Sequence, residues 1–175
     1  MITKAHSYGR SRGDSLRMKE LILGMGNPIL SDDGVGLVVA KSLEGRVPGA
    51  DVALSAMIGL DLLDVIDGYD RIYVIDAMCT RGGVPGDVKK ISEKGVVGTL
   101  HLFSSHGLHF FELMKLGESC GLKMPEVRMV YGIEIGDNVC FSSSISTCLQ
   151  QRIASIRETI LSDIASLDKS LHDHS

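Results

Sequence analysis

A chain of 175 residues, 44% hydrophobic and 23% charged, can bury one substantial core and has the make-up of a single soluble globular domain. A formal charge of −4 argues against nucleic acid as the main partner, and no apolar run approaches the roughly 18–20 residues that cross a bilayer. The four cysteines, Cys79, Cys120, Cys140 and Cys148, show no C-x-x-C spacing, which speaks against a disulfide framework or zinc ribbon and for thiols in a reducing cytoplasm.

Residues 1–18 lack the apolar segment of a secretory signal and read as a flexible polar arm. Glu20–Gly24 predicts a short buried strand, ended by the turn Gly24-Met25-Gly26-Asn27-Pro28. Asp33–Leu43 follows as a mostly apolar helix, Asp51–Ala56 as a strand and Gly59–Ile66 as a helix. Arg71–Asp76 is a β-branched and aromatic strand that stops at an aspartate. A turn over Gly82–Gly86 leads to a short strand at Asp87–Ile91, then a loop over 92–105 and an amphipathic helix near Gly107–Leu116. Val127–Ile133 is the fifth strand. Ser142–Leu167 is a long closing helix, with Ile145, Leu149, Ile153, Ile156, Ile160, Ile164 and Leu167 forming its apolar stripe, and 169–175 is a polar tail.

Strands that alternate with helices predict an α/β fold. We expect one domain over residues 19–168, a three-layer sandwich whose mainly parallel, roughly five-stranded twisted sheet is flanked by helices. In such sheets ligands bind beyond the carboxyl ends of the strands. That rule nominates the segment from Asn27 to Asp33, then Asp76, then the loop that ends at His106.

Each nominee has a plainer structural reading. Asp76 can order a loop, Asp32 or Asp33 can cap a helix, and a lone histidine is more often structural. Two acids exceed what one cap needs, and Asp32 fits the cap better. His106, His109 and Glu112 also share a helical face as H-x-x-H-x-x-E, a weak metal signal of its own. Two carboxylates and an imidazole at adjacent rim positions make a plausible three-ligand site, and O,O,N ligation leaves zinc, nickel, manganese and iron all open.

Other chemistries find less support. The turn begins like G-x-G-x-x-G, but Ile29 stands at the third glycine position. No P-loop, G-x-S-x-G nucleophile elbow or H-E-x-x-H pair occurs.

The string from Gly24 to Gly36, G-M-G-N-P-I-L-S-D-D-G-V-G, resembles the N-terminal signature of the hydrogenase maturation proteases. The likeness continues through Val74-Ile75-Asp76-Ala77, Pro85-Gly86, Ser104-Ser105-His106-Gly107-Leu108 and Pro125-Glu126-Val127, and spans roughly residues 19–167 in the same order. The resemblance implies an endopeptidase that removes the C-terminal extension of a [NiFe] hydrogenase large-subunit precursor. It further implies that Asp33, Asp76 and His106 meet nickel held by that precursor, with zinc or cadmium as stand-ins in a crystal. Gly26, Asn27 and Asp32 would then shape the substrate cleft, Asp32 as helix cap and support for its neighbour. Neither nucleic acid nor membrane is an expected partner, and the cytoplasm is the expected location. A non-proteolytic metal-binding maturation chaperone and a metallohydrolase of small amides are the alternatives.

Overall fold

The computed structural model describes residues 2–5, 18–56, 59–91, 105–136 and 140–172, without the side chains of 2, 4, 5, 105–109 and 170–172. Its strands are β1 (Ile2–Ala5), β2 (Glu20–Met25), β3 (Ala50–Ser55), β4 (Arg71–Met78), β5 (Val88–Ile91) and β6 (Glu126–Glu134). Its helices are α1 (Val35–Ser42), α2 (Asp61–Ile66), α3 (Ser105–Ser119) and α4 (Thr147–His172). A 3-10 turn over Ser31–Gly34 leads into α1.

The strands form one sheet in the order β1-β3-β2-β4-β6-β5. The four inner strands are parallel, whereas β1 and β5 close the two edges antiparallel. Every residue of β2 is buried, as a central strand covered on both faces requires. One face carries Leu21, Leu23, Ile72, Val74 and Met78, packed on Leu62 and Ile66 of α2 and Phe110, Leu113 and Met114 of α3. The other face carries Ile22, Val52, Tyr73, Ile75, Tyr131 and Ile133, packed on Val35 and Val39 of α1 and Leu149, Ile156, Ile160 and Ile164 of α4. The three-layer sandwich expected from the alternation of strands and helices is therefore present.

Chain order shows where this sheet has its crevice. After β2 the chain passes through α1 to β3 on one side; after β3 it passes through α2, on the opposite face, to β4 on the other side of β2. The carboxyl ends of β2 and β4 thus flank the topological switch point, where the two connections diverge and leave a cleft.

Four of the differences from the boundaries read in the sequence bear on the architecture. Within the stretch read as a polar arm, Ile2–Ala5 pairs as a sixth strand, with Ile2 opposite Ser55 and Ala5 opposite Val52. The free edge of β3 offers ladder partners that local composition does not reveal. β4 does not stop at Asp76 but continues to Met78, because β6 supplies partners for Ala77 and Met78 at Ile133 and Glu134. The long helix begins at Thr147, not Ser142, because Ser142 bridges to Leu30 and its hydroxyl accepts from the Ser144 N–H at 3.1 Å. The same helix runs on to His172, into the segment read as a tail. The predicted loop before α3 lies outside the described residues, apart from its last residue, Ser105, which opens the helix.

Candidate active site

Asp33 lies in the 3-10 turn that follows β2, buried, with its carboxylate accepting the Asn27 N–H at 3.0 Å. The side-chain carbonyl of Asn27 in turn accepts the Ile29 N–H at 3.1 Å. Asn27 therefore orders the loop through both its backbone and its side chain, an Asx-type turn that closes back on Asp33. Ser31 takes a positive φ of 46°, an unfavourable conformation for a residue with a side chain, and is held there by its N–H donating to Ser142 O at 2.9 Å.

Glycine permits this loop to sit where it does. Gly26 has a φ of 144°, and any side chain there would run into the Asp33 carbonyl. At Gly36, in the first turn of α1, a methyl group would collide with the Met25 carbonyl, lie 2.6 Å from the Ile75 oxygen and 3.1 Å from Asp76 Cα. Two bare positions thus let the Asp33 turn and the start of α1 lie directly on β2 and β4, at the level of Asp76.

Asp76 is fully buried in β4, with one carboxylate oxygen accepting the Ala77 N–H at 2.9 Å. Strand alternation points it to the face of Ile72, Val74 and Met78, the face covered by α2 and α3. His106 is the second residue of α3, one turn ahead of Phe110, which packs on that same face; its side chain lies outside the described residues. Glu112 is exposed on α3, and the side chains of His106 and His109, its partners in the alternative H-x-x-H-x-x-E set, lie outside the described residues. Among the described side chains, which exclude that of His106, no three His, Cys, Asp or Glu residues form a metal-holding group.

Asp32 does not cap the helix that follows it. Neither the 3-10 turn nor α1 has a side-chain cap, and the Asp32 carboxylate instead accepts the N–H of Ser146, at the entry to α4. The chain's last helix needs an acceptor for its first amides, and the acid is near enough to provide one.

The turn that carries Asp33 follows the first parallel strand, and Asp76 lies near the end of the third. The family model described as hydrogenase maturation protease matches residues 57–163, more than half of the sequence. The chain belongs to the hydrogenase maturation protease family. It is thereby a maturation endopeptidase, a hydrolase of peptide bonds. The hydrogenase 2 maturation protease of Escherichia coli (strain K12) is 24% identical over 153 residues, covering 81% of this chain and 93% of the relative. The fold of the hydrogenase maturating endopeptidase HybD from E. coli superposes with a TM-score of 0.69 at 20% identity, over 87% of this chain and 94% of that one. The [NiFe] hydrogenase maturation protease HybD from Thermococcus kodakarensis does so with a TM-score of 0.62 at 24% identity, over 82% and 97%.

One residue of this family member escaped the sequence reading. Glu134, at the end of β6, is fully buried, and its two carboxylate oxygens accept the N–H and, at 2.8 Å, the hydroxyl of Thr80. Its backbone is held as well, with Gly86 N–H donating to Glu134 O at 2.8 Å. The acid therefore fastens the loop after β4 beside the crevice. The signal was available: Glu134 ends the strand V-R-M-V-Y-G-I-E much as Asp76 nears the end of R-I-Y-V-I-D.

Proposed function

We propose that this protease cuts the C-terminal extension from a [NiFe] hydrogenase large-subunit precursor once nickel has been inserted, and that Asp33, Asp76 and His106 sense the metal. The observation that carries the reading is the meeting of the Asp33 turn with β4 at Asp76, across the switch-point crevice of an endopeptidase fold. Two carboxylates and an imidazole give oxygen and nitrogen donors suited to a divalent ion whose remaining positions are filled by cysteines of the substrate. Such a ligand set ties cleavage to metal insertion, since the bare precursor offers nothing for the acids to hold. A carboxylate at the crevice also serves as general base toward the attacking water. Gly26 and Asn27 form the floor of the cleft, and Asp32 supports it by tying the Asp33 loop to α4.

The test is direct. Nickel-loaded and nickel-free precursor are incubated with the protein, and loss of the C-terminal peptide is followed by mass. Only the loaded form should be cut, and Asp76→Asn should abolish cutting with the circular dichroism spectrum unchanged. His106→Ala should do the same, while His109→Ala should leave most activity. Metal-dependent binding of the precursor without cleavage would favour a maturation chaperone, and hydrolysis confined to small amides would favour the third reading.

A further inference from the structure

The loops beyond the carboxyl ends of the parallel strands carry the large apolar side chains most exposed to water. Among the described residues these are Phe141 at 87%, Leu60 at 67%, Ile29 at 57% and Val84 at 55%. Ile29 follows β2, Leu60 follows β3, Val84 follows β4 and Phe141 follows β6. All four stand on the edge that holds the Asp33 turn and Asp76. The opposite edge is charged and internally paired, Arg71 with Glu20 at 3.4 Å, Arg128 with Glu126 at 2.9 Å and Lys123 with Asp70 at 2.7 Å.

Ile29 and Phe141 are the pinned part of the rim. A parallel bridge joins Leu30 to Ser142, and the Ser142 N–H donates to Ile29 O at 3.1 Å. Each apolar residue immediately precedes a bridge partner, so parallel register sets the two side chains on the same side. With the Asn27 side chain also holding the Ile29 N–H, little backbone freedom is left to lose when a partner arrives. A phenylalanine and an isoleucine kept in water on an ordered loop, four residues from Asp33 in the case of Ile29, forgo the burial that folding rewards elsewhere.

For an endopeptidase, what approaches this edge is a polypeptide. We propose that Ile29 and Phe141 form an apolar docking rim that grips an apolar patch on the folded body of the protein substrate, beside the scissile segment. The proposal rests on the reading of the switch-point crevice as the cleavage site.

The test compares the wild type, the double variant Ile29→Ser/Phe141→Ser, and a control pair, Met18→Ser/Leu122→Ser, which changes exposed apolar residues on the opposite edge. Steady-state cleavage of nickel-loaded precursor is measured with the Kd for that precursor, and thermal midpoints check the fold. The rim variant should raise KM and Kd by roughly 30-fold at nearly unchanged kcat, a hot-spot-sized loss. The control pair should change neither. If the wild type cleaves and the rim variant matches it in KM, the docking rim is wrong. An equal loss in the control pair reduces the effect to general surface stickiness, and overturns the proposal too. A wild-type dimer that the rim substitutions disperse would give the face to a second copy of the chain instead. If the wild type binds without cleaving, the functional reading fails while the Kd of the rim variant still decides the docking. If it does neither, both fall together.

Discussion

Asp32 and Asp33 carry the same side chain one residue apart and face opposite tasks. Asp33 turns back onto its own loop at the Asn27 N–H, whereas Asp32 reaches across the molecule to Ser146. Replacing Asp32 by alanine leaves the Ser146 N–H without that acceptor at the entry to α4. A loss of about 1–2 kcal/mol follows, read as a lower urea midpoint, and Asp32→Asn should recover most of it because the amide carbonyl still accepts. Both acids were legible in the sequence as site candidates, through their place after a strand and a glycine turn. Their division of labour was not, since the partner of Asp32 is 114 residues away. Glu134 was missed for a related reason: its partner Thr80 lies on another strand's loop, 54 residues distant.

At the scale of elements, the β2–turn–α1 unit depends on close backbone approach more than on side-chain packing. Gly36→Ala places a methyl against backbone atoms of β2 and β4, which cannot step aside as a flexible side chain would. The expected cost is about 3 kcal/mol in urea unfolding, and the displaced turn should carry Asp33 away from Asp76 and reduce cleavage as well. Gly45→Ala is the comparison: its φ of 72° strains the new residue, but nothing lies within 4 Å, so about 1 kcal/mol suffices. The helical stripe of α4 was readable in the sequence, because Leu149, Ile156, Ile160 and Ile164 recur at steps of seven and four and all are buried. The length of β4 was not, because an aspartate inside a strand looks like a stop until β6 is seen beside it.

Across the whole molecule, the sheet separates a paired, charged amino edge from an apolar and acidic carboxyl edge. At the amino edge Glu20 titrates above the ordinary glutamate value, raised first by burial and then by Asp168, and only partly offset by Arg71 and Arg128. A carboxyl that binds its proton more tightly in the folded state contributes stability that is fully present below pH about 4.5. That contribution is lost as pH rises through the raised folded value. Glu20→Gln should therefore flatten the pH dependence, with its stability relative to the wild type growing as pH rises from 4.5 toward neutrality, as measured by urea unfolding at a series of pH values. The sequence by itself determined the layered α/β class, the parallel order of strands and helices, and the acids near the carboxyl ends of strands, because periodicity and turn chemistry are local properties of the chain. Only the tertiary structure decided that β1 closes an edge, that Asp76 sits inside a strand, that Asp32 serves α4, and that the four most exposed large apolar side chains among the described residues gather on one edge. Each of these depends on which segments become neighbours, and that is settled by the burial of distant residues against one another.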